Sequence, residues 1–307
     1  MTSTSVTFPA TRTQRAYAAC KEVARKRARN FYYGLRLTPE PQRSAVFAIY
    51  AWMRTGDDLV DEAGDPQTKR DLLEAFTAQT KRTLAGEPAG IGSQGTAEMW
   101  TALADAVKRF AIAPSDLDAM LAGLGEDIEP VGYETLDDLK QYCNRVASSV
   151  GRVCMTIWGV REGASMERAL AMADRRGLAF QLTNILRDFA QDFDEGRVYL
   201  PRAAFAESGL TPAALRRWQD AAKCERFVLN QAAIARREFD ESAQLESMIE
   251  PACEPTLWAM TRIYSGLLKK IEDRPGRIVG DARIRLQSLH KAGIAMRAIV
   301  RRRQGER

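Results

Sequence analysis

The stretch Asp57-Asp58-Leu59-Val60-Asp61 decides which fold and function we expect of this chain, because a second acidic stretch matches it far downstream. The second stretch begins at Asn184, continues through Asp188 and ends at Asp192. In each stretch the oxygen-bearing side chains recur every fourth residue, a spacing that places them on one face of an α-helix. Two such helices facing each other would form a cage of hard oxygen ligands. Mg²⁺ prefers such ligands and completes its shell with water and phosphate oxygens.

Both acidic stretches lie on segments that are apolar on several sides, which predicts central helices rather than peripheral ones. A carboxylate on a buried helix needs a compensating charge, because burying an unpaired charge is very costly. This favours a metal site over a solvated acidic face. Four carboxylates and a diphosphate substrate would need several divalent cations, and a metal-bridged diphosphate is a better leaving group. The four carboxylates are Asp57, Asp61, Asp188 and Asp192.

An arginine accompanies each acidic stretch. Arg54 lies three residues before Asp57, and Arg187 lies beside Asp188. Arginine stays charged and suits bidentate contact with phosphate oxygens, although a structural ion pair is the alternative for each. Gln181 shares the face of the second stretch and could donate to phosphate, hold a water, or serve as a core amide.

Apolar residues recur at three- and four-residue intervals almost throughout the chain, which predicts an all-α protein. Its 307 residues are 45% hydrophobic and 28% charged, and we find neither a linker nor a repeat. We therefore expect one domain over 1–307, with 1–12 as a flexible tail. Helices are predicted at 13–30, 40–62, 66–85, 96–111, 114–125, 135–159, 166–193, 211–249, 254–273 and 281–303.

The remaining composition indicates a cytoplasmic protein. The N-terminal stretch lacks the pattern of a signal peptide, and no apolar run reaches the length of a membrane span. The five cysteines are scattered and include no CxxC pair, so we expect reduced thiols. The net charge of +5 owes much to a basic end. That end could be a solvated helix terminus, a peripheral contact with an anionic membrane surface, or a nucleic-acid contact, and no nucleic-acid-binding motif supports the last option.

Beyond these features, several longer segments resemble the squalene/phytoene synthase family, the head-to-head trans-prenyl synthases. The resemblance covers about residues 15 to 295, and both acidic motifs agree with the family in their order and separation. One departure is the stretch Arg27-Ala28-Arg29-Asn30, where many members carry small hydroxyl residues. Its arginines could contact phosphate or point to solvent. The matching segments are 31–34, 49–62, 142–151, 181–188, 196–201 and 262–264.

The resemblance implies an all-α isoprenoid-synthase fold with a central active-site cavity, and it implies roles for particular residues. Asp127 matches an acidic position behind the site. Phe31, Tyr142, Val146 and Val150 would line the tunnel for prenyl tails, with ordinary core packing as the alternative. Mg²⁺ would be bound by Asp57, Asp61, Asn184, Asp188 and Asp192. Diphosphate would be contacted by Arg54, Gln181 and Arg187 with Tyr50 nearby, and further along the chain by Tyr264, Arg283 and Lys291.

The activity implied by the resemblance is a Mg²⁺-dependent condensation of two farnesyl diphosphates to presqualene diphosphate, as in the bacterial branch of hopanoid-type isoprenoid biosynthesis. The reaction could continue to squalene or a related head-to-head product. The enzyme would then be a farnesyl-diphosphate farnesyltransferase, in which Mn²⁺ can substitute for Mg²⁺. We find no glycine-rich dinucleotide-binding fingerprint, so the sequence does not indicate NADPH as a cofactor. The first alternative is a phytoene synthase that condenses two geranylgeranyl diphosphates. Alternatives of other classes are a terpene cyclase and a non-catalytic prenyl-lipid-binding assembly protein.

Overall fold

The computed structural model describes residues 11–28, 30–61, 64–87, 94–129 and 132–305. Within these ranges the chain is helical and contains no β-strand, only an isolated bridge between Val160 and Ile249. The prediction of an all-α protein is confirmed. The α-helices, in chain order, are α1 (Arg12–Arg27), α2 (Asn30–Leu35), α3 (Gln42–Asp61), α4 (Pro66–Leu84), α5 (Ala97–Phe110), α6 (Pro114–Ile128), α7 (Leu136–Cys143), α8 (Ser149–Trp158), α9 (Met166–Asp194), α10 (Arg202–Ser208), α11 (Pro212–Arg216), α12 (Ala221–Glu241), α13 (Leu245–Met248), α14 (Glu254–Asp273) and α15 (Ser288–Gly305).

Three predicted helices differ in the structure. The expected helix 211–249 is three helices, because the backbone turns at Trp218 with a φ of 52° and breaks again after α12. The last helix was predicted from residue 281 but begins at Ser288. The expected helix 135–159 is continuous, but Asn144–Ser148 forms a π-helical segment between α7 and α8. Such a segment has i→i+5 hydrogen bonds and shifts the register of the side chains that follow.

The first helix begins inside the range predicted as a flexible tail. Thr11 caps α1 by accepting a hydrogen bond from the Gln14 backbone, and the Gln14 side chain accepts one from Thr11 in return. Two residues of the predicted tail therefore begin the first helix. Residues 1–10 lie outside the described part of the chain.

The two helices that carry the acidic stretches are central, as predicted. Helix α3 contacts α1, α4, α5 and α6, whereas α9 contacts α8, α12, α14 and the π-helical segment. The contact of α9 with that segment requires Gly177, because a Cβ atom there would lie 2.7 Å from Ser148 Cα. In the described ranges we find no helix whose length and apolar character would let it cross a bilayer.

Candidate active site

A cavity of about 270 Å³ lies between α3, α8, α9 and α14. Aliphatic side chains, such as Val46 and Ile49 of α3 and Leu257 of α14, form most of its wall. The lining is polar at Tyr50 of α3 and at Gln181 and Asn184 of α9, and we call this part its polar end. Arg176, a charged residue that also lines the cavity, is bonded to Ser242 and Thr261.

The acidic stretches continue the cavity-lining faces of these two helices. Asp57 follows Tyr50 by seven residues on α3, and Asp188 follows Gln181 by seven residues on α9. Seven residues are about two helical turns, or roughly 10 Å, so the same face is presented again. Both sets of carboxylates accordingly lie beyond the polar end of the cavity.

Asp127 on α6 lies between the two acidic stretches. Its carboxylate is among the charges that raise the pKa of Asp57 on α3. Arg197 lowers the pKa of Asp127 and donates a hydrogen bond to Asp192 Oδ1 at 3.2 Å on the side of α9. These interactions connect the first acidic stretch to the second through Asp127 and Arg197. The structure thus brings the two sequence motifs to one site.

The carboxylates of this site have shifted pKa values. Burial, together with the charges of Asp61 and Asp127, raises the pKa of Asp57 to about 7 against the opposing effect of Arg54. Burial also raises the pKa of Asp127 to about 6, although hydrogen bonds from two tyrosines favour its charged form. Asp192 has a raised pKa as well, again chiefly from burial. Closely spaced, partly buried carboxylates of this kind favour the approach of a cation.

Arginines currently neutralise the first acidic stretch. Arg54 donates a hydrogen bond to Asp58 and lies 3.9 Å from Asp57 and 4.0 Å from Asp61. Arg27 belongs to the stretch 27–30, which differs from the family pattern, and it donates a hydrogen bond to Asp58 Oδ1 at 2.6 Å. This arginine therefore points to the site, while Arg29 lies outside the described residues.

Two arginines also neutralise the second stretch by sharing one carboxylate. Arg187 Nε donates to Asp188 Oδ1 at 2.8 Å, and Arg283 donates to both oxygens at 2.7 and 2.6 Å. Burial alone would raise the pKa of Asp188, but these hydrogen bonds hold it below its ordinary value. Arg283 reaches across from the segment before α15, which explains how a distant part of the sequence joins the site.

A second, smaller pocket of about 150 Å³ adjoins Asp188 through Arg187 and Arg283. Arg285 and Lys291 also line it, so four basic side chains surround one space. Three of the four were predicted as phosphate contacts, and Arg285 was missed. The lining suits an anionic group such as a phosphate. Tyr264, also predicted, lines the larger cavity and stacks on Phe180 with a centroid distance of 4.2 Å.

The residues of the acidic stretches fit a metal ion together with an anionic ligand. As arranged here, no group of three or more carboxylate, imidazole or thiol side chains within the described ranges is close enough to hold a metal. However, Asn184 Oδ1 is buried beside the acidic stretches without a hydrogen-bond partner, as are the Nε atoms of Arg54 and Arg197. Buried polar groups are normally satisfied. An unmatched acceptor suits a cation, and unmatched arginine donors suit an anion.

Only some of the residues predicted to line the tunnel lie in the wall of the larger cavity. Val146 and Val150 line the larger cavity, but Tyr142 does not. It is buried beside Tyr133 and Tyr199, and its hydroxyl donates to Asp127 at 2.9 Å. The reason is the π-helical segment, which interrupts the four-residue spacing assumed for one helix face. The side chain of Phe31 lies outside the described residues.

Sequence reasoning also missed two residues at the centre of the site. Tyr199 donates to Asp127 Oδ1 at 3.0 Å, and Arg197 connects Asp127 to Asp192. Both belong to the segment 196–201, which was recognised as a matching segment without a role. Their position in the sequence, directly after the helix that carries the second acidic stretch, could have indicated that they belong to the site.

The chain is similar to proteins of one family. The model of the squalene/phytoene synthase family matches residues 24–290. A phytoene synthase of Mycobacterium tuberculosis is 31% identical over 296 residues, which are 94% of this chain and 92% of that protein. Chloroplastic phytoene synthase 1 of Arabidopsis thaliana is 33% identical over 84% of this chain. The match spans only 60% of that plant relative's length.

Two solved structures are similar over most of their length. A dehydrosqualene synthase in complex with a ligand has a TM-score of 0.78 and 25% identity, covering 94% of this chain and 96% of that one. Squalene synthase HpnC from Alicyclobacillus acidocaldarius has a TM-score of 0.75 and 26% identity, covering 86% and 95%.

Proposed function

The chain belongs to the squalene/phytoene synthase family, and we propose that it is a prenyltransferase that joins two prenyl diphosphates head to head. One observation carries this proposal: two acidic helix faces, with their arginines, lie at the polar end of an apolar cavity. The apolar wall suits prenyl tails, and the polar end suits diphosphates. A protein that only bound prenyl lipids would need the cavity but not both acidic faces.

We propose that Asp57, Asp61, Asn184, Asp188 and Asp192 hold Mg²⁺, for which Mn²⁺ can substitute. When bound, the metal would supply positive charge that stabilises the departing diphosphate. The arginines now paired with these carboxylates would then be released to phosphate oxygens. This exchange is supported at Arg187 and Arg283 by their position, because both line the basic pocket beside Asp188.

In the proposed reaction, the C–O bond of the donor breaks and diphosphate leaves with the electron pair. The C2–C3 double bond of the acceptor attacks the allylic cation, and loss of one proton closes a cyclopropylcarbinyl diphosphate. We assign the proton to the released diphosphate. The cavity wall serves this chemistry by excluding water from the cation.

We propose farnesyl diphosphate as the donor and presqualene diphosphate as the product. Support comes from the similarity to structures of a dehydrosqualene synthase and a squalene synthase. The second candidate is phytoene from two geranylgeranyl diphosphates, because the curated relatives at 31–33% identity are named phytoene synthases.

A competition assay tests both the reaction class and the donor. Purified protein is given both prenyl diphosphates with Mg²⁺, and the products are identified by mass spectrometry. We expect presqualene diphosphate as the main product. Phytoene as the main product would establish the second candidate, and a cyclic product from a single donor would indicate a terpene cyclase. Recovery of both donors unchanged would contradict the proposed catalysis.

A further inference from the structure

The last helix carries the whole net charge of the chain. The protein has 45 lysines and arginines against 40 acidic residues. Five of the basic residues and none of the acidic ones lie between Ser288 and Gly305, the bounds of α15. The remainder is therefore balanced, with 40 residues of each sign. Such a separation of charge is typical of a segment that contacts an anionic surface.

The same helix exposes an apolar face. Of five large hydrophobic residues that are exposed in the described ranges, three lie on α15. Their exposed fractions are 68% for Met296, 48% for Val300 and 44% for Ile299. Their spacing of three and four residues places them on one side of the helix. We call these three residues the outer face of α15.

The opposite side of α15 anchors the helix to the protein. Ile294 and Ala298 are buried, and the helix packs against α14. Arg301 donates to Glu254 Oε1 at 2.6 Å and lies over the Trp258 ring at 5.2 Å. The outer face is consequently held in a fixed orientation, away from the core.

The charged residues of α15 are all basic. At 3.6 residues per turn, the exposed Arg297 lies on one flank of the outer face. Arg302 and Arg303 follow in the sequence. An exposed apolar strip on a helix whose charged residues are all basic is the pattern of a helix that lies in the interface of an anionic bilayer, with its apolar side chains among the acyl chains.

We propose that the outer face of α15 docks the protein on an anionic membrane surface. The position of the helix fits this role. Lys291 of α15 lines the basic pocket, and α14, on which α15 packs, lines the apolar cavity with Leu257, Met260 and Tyr264. Docking would therefore hold the cavity one helix layer from the bilayer. Docking does not depend on the proposed reaction, because the exposure, charge and packing of α15 alone support it.

The test is vesicle co-sedimentation of the full chain, without prenyl diphosphate. Phosphatidylcholine vesicles with and without phosphatidylglycerol are compared. We expect binding to the anionic vesicles only, weakened by added salt because surface charges are screened. The triple variant Met296→Ser, Ile299→Ser, Val300→Ser should lose this binding, and Arg297→Gln should weaken it roughly fivefold, the effect of one charge near the surface.

Leu229→Ser is the matched control, because Leu229 is also an exposed apolar residue but lies on α12. It should bind as the wild type does. Circular dichroism of all variants checks the fold, and sedimentation equilibrium without vesicles checks the oligomeric state. Wild-type binding by a folded triple variant, or equal binding to neutral vesicles, would overturn the proposal. A dimer that the triple variant converts to monomer would instead assign this face to a second copy of the chain.

Discussion

At the scale of single residues, arginines neutralise the acidic motifs, which is the ion-pair alternative that the sequence left open for Arg54 and Arg187. Arg187 and Arg283 both donate hydrogen bonds to Asp188, although the two arginines are 96 residues apart in the sequence. A carboxylate with two such partners is fully compensated, which allows it to be largely buried without protonation. The same pairing keeps guanidinium groups next to the place where we propose that phosphate binds.

The first prediction concerns the geometry of Arg187. Arg187→Lys should lower kcat/KM by roughly 10- to 100-fold, because a lysine cannot reproduce a two-pronged contact that involves charged groups. The measurement is steady-state turnover with farnesyl diphosphate. Arg175→Lys is the control, because Arg175 pairs with Glu238 and Glu241 away from the site. Equal kinetics for both variants would show that Arg187 is only structural.

The second prediction concerns pH and the hydrogen bond from Tyr199 to Asp127. The folded-state pKa of Asp127, about 6, lies above the ordinary value of 3.8, so the folded protein holds this proton more tightly than the unfolded chain does. Stability from this group therefore falls as pH rises from 3.8 to about 6. Above that range the carboxylate is charged and depends most on its tyrosine donors.

Tyr199→Phe should accordingly lower the free energy of unfolding by about 1.5–3 kcal/mol above pH 6, where the lost bond is to a charged acceptor, and by less below it. Urea unfolding on both sides of pH 6 measures this difference. In an Asp127→Asn background the pH dependence of the Tyr199→Phe effect should disappear. A loss that is the same at both pH values would contradict the pKa assigned to Asp127.

At the scale of elements, the helices that carry the motifs were predictable, and the interruptions between elements were not. The acidic faces of α3 and α9 follow from a four-residue spacing that local helix geometry enforces. The π-helical segment Asn144–Ser148 has no comparable signal, and its close neighbour Gly177 lies on another helix. For this reason the direction of Tyr142 was mispredicted although its helix was not.

The third prediction tests this packing. Gly177→Ala should destabilise the protein by about 1–3 kcal/mol, because the new Cβ would lie 2.7 Å from Ser148 Cα and 2.8 Å from Ser148 N, which are backbone atoms. Activity should fall as well, since α9 carries Gln181 and Asn184. The measurement is urea unfolding combined with turnover.

Gly125→Ala on α6 is the matched control for this substitution. Its nearest neighbour would be the Leu73 side chain at 3.7 Å, an ordinary contact, so the gain in helix propensity should leave stability unchanged or raise it by up to about 1 kcal/mol. If both glycine variants were equally stable, the close approach of α9 to the π-helical segment would be refuted.

At the scale of the whole molecule, the fold joins parts of the chain whose proximity no local pattern reveals. Arg283, from the segment before α15, and Arg197, after α9, complete a site whose motifs lie on α3 and α9. The sequence could identify Arg283 only through the family resemblance. The cavity between α3, α8, α9 and α14 likewise depends on how these helices pack, so its depth could not be predicted from periodicity.

The fourth prediction concerns the cavity as a container for prenyl tails. Val150→Phe should fill part of it and lower kcat/KM for geranylgeranyl diphosphate more than for farnesyl diphosphate, because the longer tail needs more of the space. The ratio of the two kcat/KM values is the measurement. Val23→Phe, on the exposed side of α1, is the control and should leave the ratio unchanged. An unchanged ratio in Val150→Phe would show that this wall does not contact the tails.

The central claim is that the two acidic faces act together, through Mg²⁺, on the diphosphate of a prenyl donor. The most direct measurement is the rate of diphosphate release from farnesyl diphosphate by wild type, Asp57→Ala and Asp188→Ala, with Mg²⁺ and with chelator. Asp137→Ala, a surface residue paired only with Lys140 among the salt bridges of the described chain, is the control. We predict Mg²⁺-dependent release by wild type and control, and a loss of at least about a thousandfold in chelator and in either site variant, as expected when several kcal/mol of charge stabilisation are removed. Release that persists in chelator, or in a folded Asp188→Ala protein, would contradict the account.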